Sequence, residues 1–182
     1  MTNALKLTIV TAINWMLVAT SEFLFAFASV MAFWPVALYL RWLILDRVAK
    51  TRLQLGFLNW TKALALELLG CADKYLDDWN YGNAIHQGNI LLGRVAMREH
   101  NVPLARQYLM KAARTPGSPQ LNSFGPNMSL AKELLELGQT NAVLEYLKLC
   151  SEFWNAEFSQ LERWTKDINS GLRPKFGPNL YY

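Results

Sequence analysis

The sequence predicts an all-α protein, with an N-terminal transmembrane helix followed by a domain of short α-helical hairpins. Three observations lead there. From Leu7 to Leu40 the only formal charge is Glu22. Beyond Leu53 charges recur every few residues on a helical period, with no alternating apolar–polar run that would mark a strand. Turn-forming residues cluster between the helical stretches, above all in the run Thr115 to Pro119. The predicted divisions are a membrane anchor over 1–52, a helical repeat-like soluble domain over 53–170 and an extended tail over 171–182.

Within the anchor, residues 22–45 make the best single span. A helix of that length reaches about 36 Å, enough for a hydrocarbon core of about 30 Å. Ser21 suits the cap, and Glu22 suits the first turn, where a carboxylate favours the helix dipole. Pro35 predicts a kink, since it cannot donate to the carbonyl four residues back. Tyr39, Arg41 and Trp42 read as membrane-interface anchors, continued by Arg47 and Lys50 in a basic juxtamembrane segment over 46–52.

Residues 5–20 are apolar but short for a straight crossing, leaving three readings: an interfacial helix, a re-entrant piece, or the first half of one long helix. At 100° per residue Thr8, Thr11, Asn14, Ser21, Glu22 and Ser29 fall within an arc of roughly 140°. Such a stripe in lipid should face other membrane helices. Apolar sequence continues to Leu45, unlike the short core of a cleaved leader.

Charge sets the expected orientation. Residues 1–52 carry Lys6, Arg41, Arg47, Lys50 and Arg52 against Glu22 and Asp46, most of the net +4 of the whole chain. Four of those cations follow the span and one precedes it, which predicts a single-pass inner-membrane protein with its domain on the cytoplasmic side. The same distribution argues against nucleic acid, because the basic excess lies beside the apolar segment and not across the helical domain.

The domain itself reads as helices over 54–76, 82–99, 102–114, 128–137, 141–153 and 156–169. Pro103 suits a first helical turn, and Gly138 and Gly171 suit helix ends. Short antiparallel helices raise the question of an internal repeat. The stretch Leu92, Gly93, Arg94, then Ala105, Leu109, Ala112 and Pro116 resembles one tetratricopeptide repeat. Leu130 to Cys150, with Ala142, Tyr146 and Leu149, resembles a second unit in which Leu130 replaces the glycine. The resemblance implies a helical hairpin stack whose concave face binds a peptide or another protein. It also implies close helix packing at Gly93, Ala105, Ala112 and Ala142.

A second echo is Phe124-Gly125-Pro126-Asn127, repeated as Phe176-Gly177-Pro178-Asn179. Each copy reads either as a turn with a phenylalanine plug or as half of a matched pair of docking elements. Phe124, Phe176, Tyr181 and Tyr182 are the docking candidates.

Chemistry is hard to find in the sequence. His86 and His100 are the only histidines, and neither belongs to a metal-ligand spacing or a nucleophile–base pattern. Cys71 and Cys150 lie on apolar helix faces and read as buried thiols. No catalytic residue, metal, cofactor or small-molecule substrate is inferred. Seven Trp, seven Tyr and nine Phe exceed the needs of a small helical core, and aromatics are favoured interface anchors. The expected role is a non-enzymatic membrane-anchored accessory or scaffold subunit. Its partners would be the lipid bilayer and other subunits of a respiratory, photosynthetic or transport complex. The alternative is an assembly or recruitment factor that binds a soluble client protein in the helical groove.

Overall fold

The computed structural model describes residues 33–154 and 158–181, and among them every regular element is helical. Two compact units are present, Met1–Trp42 and Leu43–Tyr182. In the first, residues 33–42 are helical; Phe33, Trp34, Val36, Leu38 and Leu40 are exposed, and the Tyr39 and Trp42 rings lie 6.1 Å apart. The second unit holds all the elements that follow.

Residues 33–54 form α1. It ends where Gly56, at φ +81°, takes the left-handed conformation and the Phe57 N–H bonds the Arg52 carbonyl at 2.9 Å. That closed turn is a glycine helix stop. It explains why the predicted 54–76 helix is shorter than expected: α2 runs Leu58–Ala72 and tightens into a 3₁₀ turn at Asp73–Tyr75.

Then come α3 (Tyr81–Arg98), α4 (Val102–Ala113), α5 (Pro119–Phe124), α6 (Ser129–Glu136), α7 (Thr140–Cys150) and α8 (Phe158–Asn169). A second 3₁₀ turn, Gly177–Leu180, lies in the tail. Asn101 caps α4 by accepting the Leu104 N–H at 3.1 Å, with Pro103 in the first turn as the sequence predicts.

The centre of the unit is α3. Twelve of its eighteen residues are buried, so it is packed on several sides and not on a single stripe. On one side Leu91, Leu92 and Val95 join Ala49 and Leu53 of α1 and Ala65 of α2. On the other, Ile90 and Ala96 meet Leu109, Leu130, Leu134 and Tyr146 from α4, α6 and α7. Gly93 lets α3 approach α6: a Cβ there would overlap the Leu130 side chain and press on Tyr108 at 3.2 Å. Ala105 and Ala112 are fully buried on α4, and Ala142 is buried on α7.

The expected transmembrane helix over 22–45 is not found. No helix of the described residues is long and apolar enough to cross a membrane. The physical reason is visible in α1, which from Arg41 onward carries Arg41, Asp46, Arg47, Lys50 and Arg52. Its apolar residues Leu45, Ala49 and Leu53 recur every four residues and are buried, Ala49 and Leu53 within the α2–α3 core. They pack on protein where a spanning helix would present them to lipid. Trp42, expected at headgroup level, is likewise buried. The single-pass inner-membrane placement rested on that span and falls with it. Residues 22–32 of the expected span, and the segment 5–20, lie outside the described residues.

One joint is strained. His100 closes α3 at φ +57°, and the Asn101 N–H reaches back to the Ala96 carbonyl at 2.8 Å. A side chain costs about 1–2 kcal/mol in that conformation, and glycine pays part of this back as lost chain entropy. His100→Gly is therefore expected to stabilise the fold by about 0.5–1 kcal/mol, read as a rise in Tm of about 1–4 °C.

Candidate binding cleft

A cleft of about 660 Å³ opens between α1, α3, α5 and the tail. That size is within the ~300–1,000 Å³ typical of ligand sites. From α1 come Asp46, Arg47, Lys50, Thr51 and Gln54, residues that share one helix face by spacing. Asn80, Asn83, Ala84 and Gln87 recur at the same helical spacing along the start of α3. Gln120, Phe124 and Tyr181 close the remaining side, with Leu68 at the base.

The carboxamides are held by the loop that follows α4. Ser118 Oγ donates to Asn83 Oδ1 at 3.0 Å, and Asn83 Nδ2 donates to Asn80 Oδ1 at 3.1 Å. Asn127 Nδ2 donates to Gln87 Oε1 at 3.2 Å, which turns the Gln87 NH₂ into the end left for a ligand. Gln120 Oε1 is buried and has no hydrogen-bond partner among the described residues. A buried acceptor in that condition costs about 1–3 kcal/mol until a donor reaches it.

Beneath the cleft, His86 is fully buried and satisfied at both ring nitrogens. Nδ1 lies 3.0 Å from the Ala112 carbonyl, and Nε2 lies 3.0 Å from the Asn127 backbone N. A carbonyl only accepts and an amide only donates, so these partners set the neutral tautomer with its proton on Nδ1. Burial pushes the imidazole down to about 4; the Ala112 bond opposes this, and the charge of Lys50 adds to it. His86 thus ties α3 to α4 and to the loop before α6.

The two Phe-Gly-Pro-Asn segments dock on each other. Asn179 Nδ2 donates to the carbonyls of Phe124 at 2.9 Å and Pro126 at 3.0 Å. The Met128 N–H in turn donates to the Asn179 carbonyl at 2.7 Å. Asn127 plays the matching part inward, accepting at its carbonyl from Tyr146 Oη at 2.9 Å. This clasp puts Tyr181 at the cleft wall. Asn179→Ala should take the Nδ2 donor away from two carbonyls and cost about 1–3 kcal/mol. Hydrogen exchange at the Met128 amide should quicken in step; unchanged protection would show that the tail docks without Asn179.

Electrostatically the cleft carries one excess positive charge. Lys50 Nζ pairs with Asp46 at 3.3 Å. Burial lowers the Lys50 pKa, and Asp46 works against that shift. Arg47 is exposed and has no ion-pair partner among the described residues.

The structure brings together some of the sequence-predicted residues. Phe124 and Tyr181 both line the cleft, 64% and 83% exposed, as do Arg47 and Lys50. Phe176 is instead in the core, its ring edge-on to Trp164 at 5.1 Å, so it is a plug and not a docking group. Tyr39 is half-buried and Arg41 exposed. Gly93, Ala105, Ala112 and Ala142 serve helix packing away from the cleft. Thr8, Thr11, Asn14, Ser21, Glu22, Ser29 and Tyr182 lie outside the described residues.

Sequence reasoning missed Asn80, Asn83, Gln87 and Gln120. The signal was available: three carboxamides at positions 80, 83 and 87 share a helix face. Among the described residues no group of three or more His, Cys, Asp or Glu could hold a metal ion. The Cys150 thiol is buried, and burial drives its pKa far up, which makes it unreactive. No protein-family model matches this chain, nor does any curated protein or solved structure.

Proposed function

We propose that this protein is a non-enzymatic accessory or scaffold protein that holds a segment of a partner protein in the α1–α3–α5 cleft. The carrying observation is the lining: a row of carboxamides, with the Gln87 NH₂ left over by the bond from Asn127, beside two exposed aromatic rings. A peptide chain offers one N–H and one C=O per residue, and an amide side chain can serve either. Aromatic rings supply anchoring area at low entropic cost. His86, the one histidine beneath the cleft, is committed to structural bonds at both nitrogens.

The helix packing at Gly93 and at Ala105, Ala112 and Ala142 supports reading α3–α4 and α6–α7 as tetratricopeptide-like hairpins. In that reading the face of α3 that bears Asn83 and Gln87 is the binding face.

A photo-crosslinking residue at position 124 or 181 tests the proposal in cells. A discrete crosslinked partner that disappears with Gln87→Ala is the expected result. Crosslinking that is indifferent to Gln87 would remove the cleft from consideration. A stoichiometric partner on size exclusion would indicate a permanent subunit; a substoichiometric one, a recruitment factor.

A further inference from the structure

The proposed cleft has a charge asymmetry that says what kind of segment it takes. Its cations, Arg47 and Lys50, both come from α1, outside the helices that resemble a repeat. Its only anion, Asp46, is occupied by Lys50 at 3.3 Å. Arg47 is therefore left as an exposed guanidinium at the rim with no carboxylate among the described residues. Guanidinium is shaped for two-point contact with a carboxylate, and such charge-assisted bonds are about twice as strong as neutral ones.

Across the cleft the chemistry changes. Gln120 Oε1 is a buried acceptor with no donor, and the Gln87 carbonyl is already taken by Asn127. The site thus offers a donor at Gln87, which a backbone carbonyl complements. Phe124 and Tyr181 add exposed rings suited to an apolar side chain. Cation, amides and rings are contributed by separate elements to one lining.

Resting on the proposed cleft-binding role, we infer that the occupant is an extended acidic peptide segment with an aromatic or aliphatic anchor. A Glu or Asp carboxylate of the partner pairs with Arg47. Its backbone carbonyl accepts from Gln87, and its apolar side chain rests on Phe124 and Tyr181. Lys50 strengthens the field without leaving Asp46.

The test uses the full chain and three blocked, fluorescein-tagged hexapeptides read by anisotropy. The first holds four glutamates, one phenylalanine and one alanine; the second replaces glutamate by glutamine, and the third by lysine. The acidic peptide should bind about tenfold tighter than the glutamine peptide, and the lysine peptide weakest. Added salt should erase most of that preference. Arg47→Glu, at an exposed position that should not disturb folding, should reverse the order of the acidic and lysine peptides. Gln87→Ala and Phe124→Ala should weaken the acidic and glutamine peptides alike.

Equal binding of acidic and glutamine peptides, still sensitive to Gln87→Ala, would overturn the acidic assignment and leave the cleft reading standing. Binding of any peptide that ignores both Gln87→Ala and Phe124→Ala would overturn the cleft reading itself. So would failure of all three to bind at millimolar concentration.

Discussion

Replacing His86 by leucine is expected to destabilise the protein by about 2–5 kcal/mol, since the Ala112 carbonyl and the Asn127 N–H each lose their bond to the imidazole in a buried site. An ordinary domain has only about 5–15 kcal/mol to lose, so the variant should show a much lower unfolding midpoint. Glutamine, which can donate and accept, should recover part of the loss; if it behaves like leucine, ring shape and not hydrogen bonding is what matters.

The wild-type protein should carry the same information in its pH dependence. The folded pKa of His86 lies near 4, below the ordinary 6.5. Between those values the unfolded chain takes up a proton that the folded chain refuses, so stability rises with pH across the window. The contribution is complete above pH 6.5 and is lost as pH falls towards 4, about 3 kcal/mol in all. Chemical denaturation at steps from pH 7 to 4 measures it. A flat profile, or an imidazole NMR titration centred near 6.5, would show that His86 is reachable by water.

Gly82→Ala should be at least as damaging, for a steric reason. A Cβ at position 82 would overlap the carbonyl of Gly117, and the clashing atoms belong to backbone, which cannot rotate away. The same spot holds the bond from Thr115 Oγ1 to the Gly82 carbonyl at 2.7 Å. Separating α3 from the 115–118 loop would also release Ser118 from Asn83. The cost is expected at about 3–5 kcal/mol, with the proposed peptide binding lost in any fraction that folds. Gly70→Ala is the matched control: a Cβ there meets nothing within 4 Å, so it should be neutral or slightly stabilising in α2. A loss at position 70 as large as the loss at 82 would show that the contact with Gly117 does not explain the effect.

Much of the helical layout was legible because its signals are local. Pro103 in a first turn and the glycine stops at Gly138 and Gly171 act within a few residues of themselves. The 54–76 helix was misplaced although Gly56 lay in plain view, since apolar periodicity on both sides concealed the stop. The loop expected before α6 holds a short helix, started by Ser118 accepting the Leu121 N–H at 3.1 Å.

The described end of the expected span shows where composition alone misleads. Hydropathy cannot distinguish residues that meet lipid from residues that meet other helices; Leu45, Ala49 and Leu53 are buried by protein. The spacing of the charges between them was the better guide, because a face that alternates with Asp46, Arg47 and Lys50 suits a helix packed on one side.

The sequence by itself determined that the described chain is helical, where most helices stop, and that two Phe-Gly-Pro-Asn segments deserve to be read together. Only the tertiary structure decided that those segments clasp each other, that Phe124 and Tyr181 share a cleft while Phe176 fills the core, and that His86 is a neutral structural bolt. Caps and turns depend on neighbours along the chain. The cleft depends on side chains from α1, α3, α5 and the tail, whose meeting is set by how buried faces pack and not by any spacing within one element.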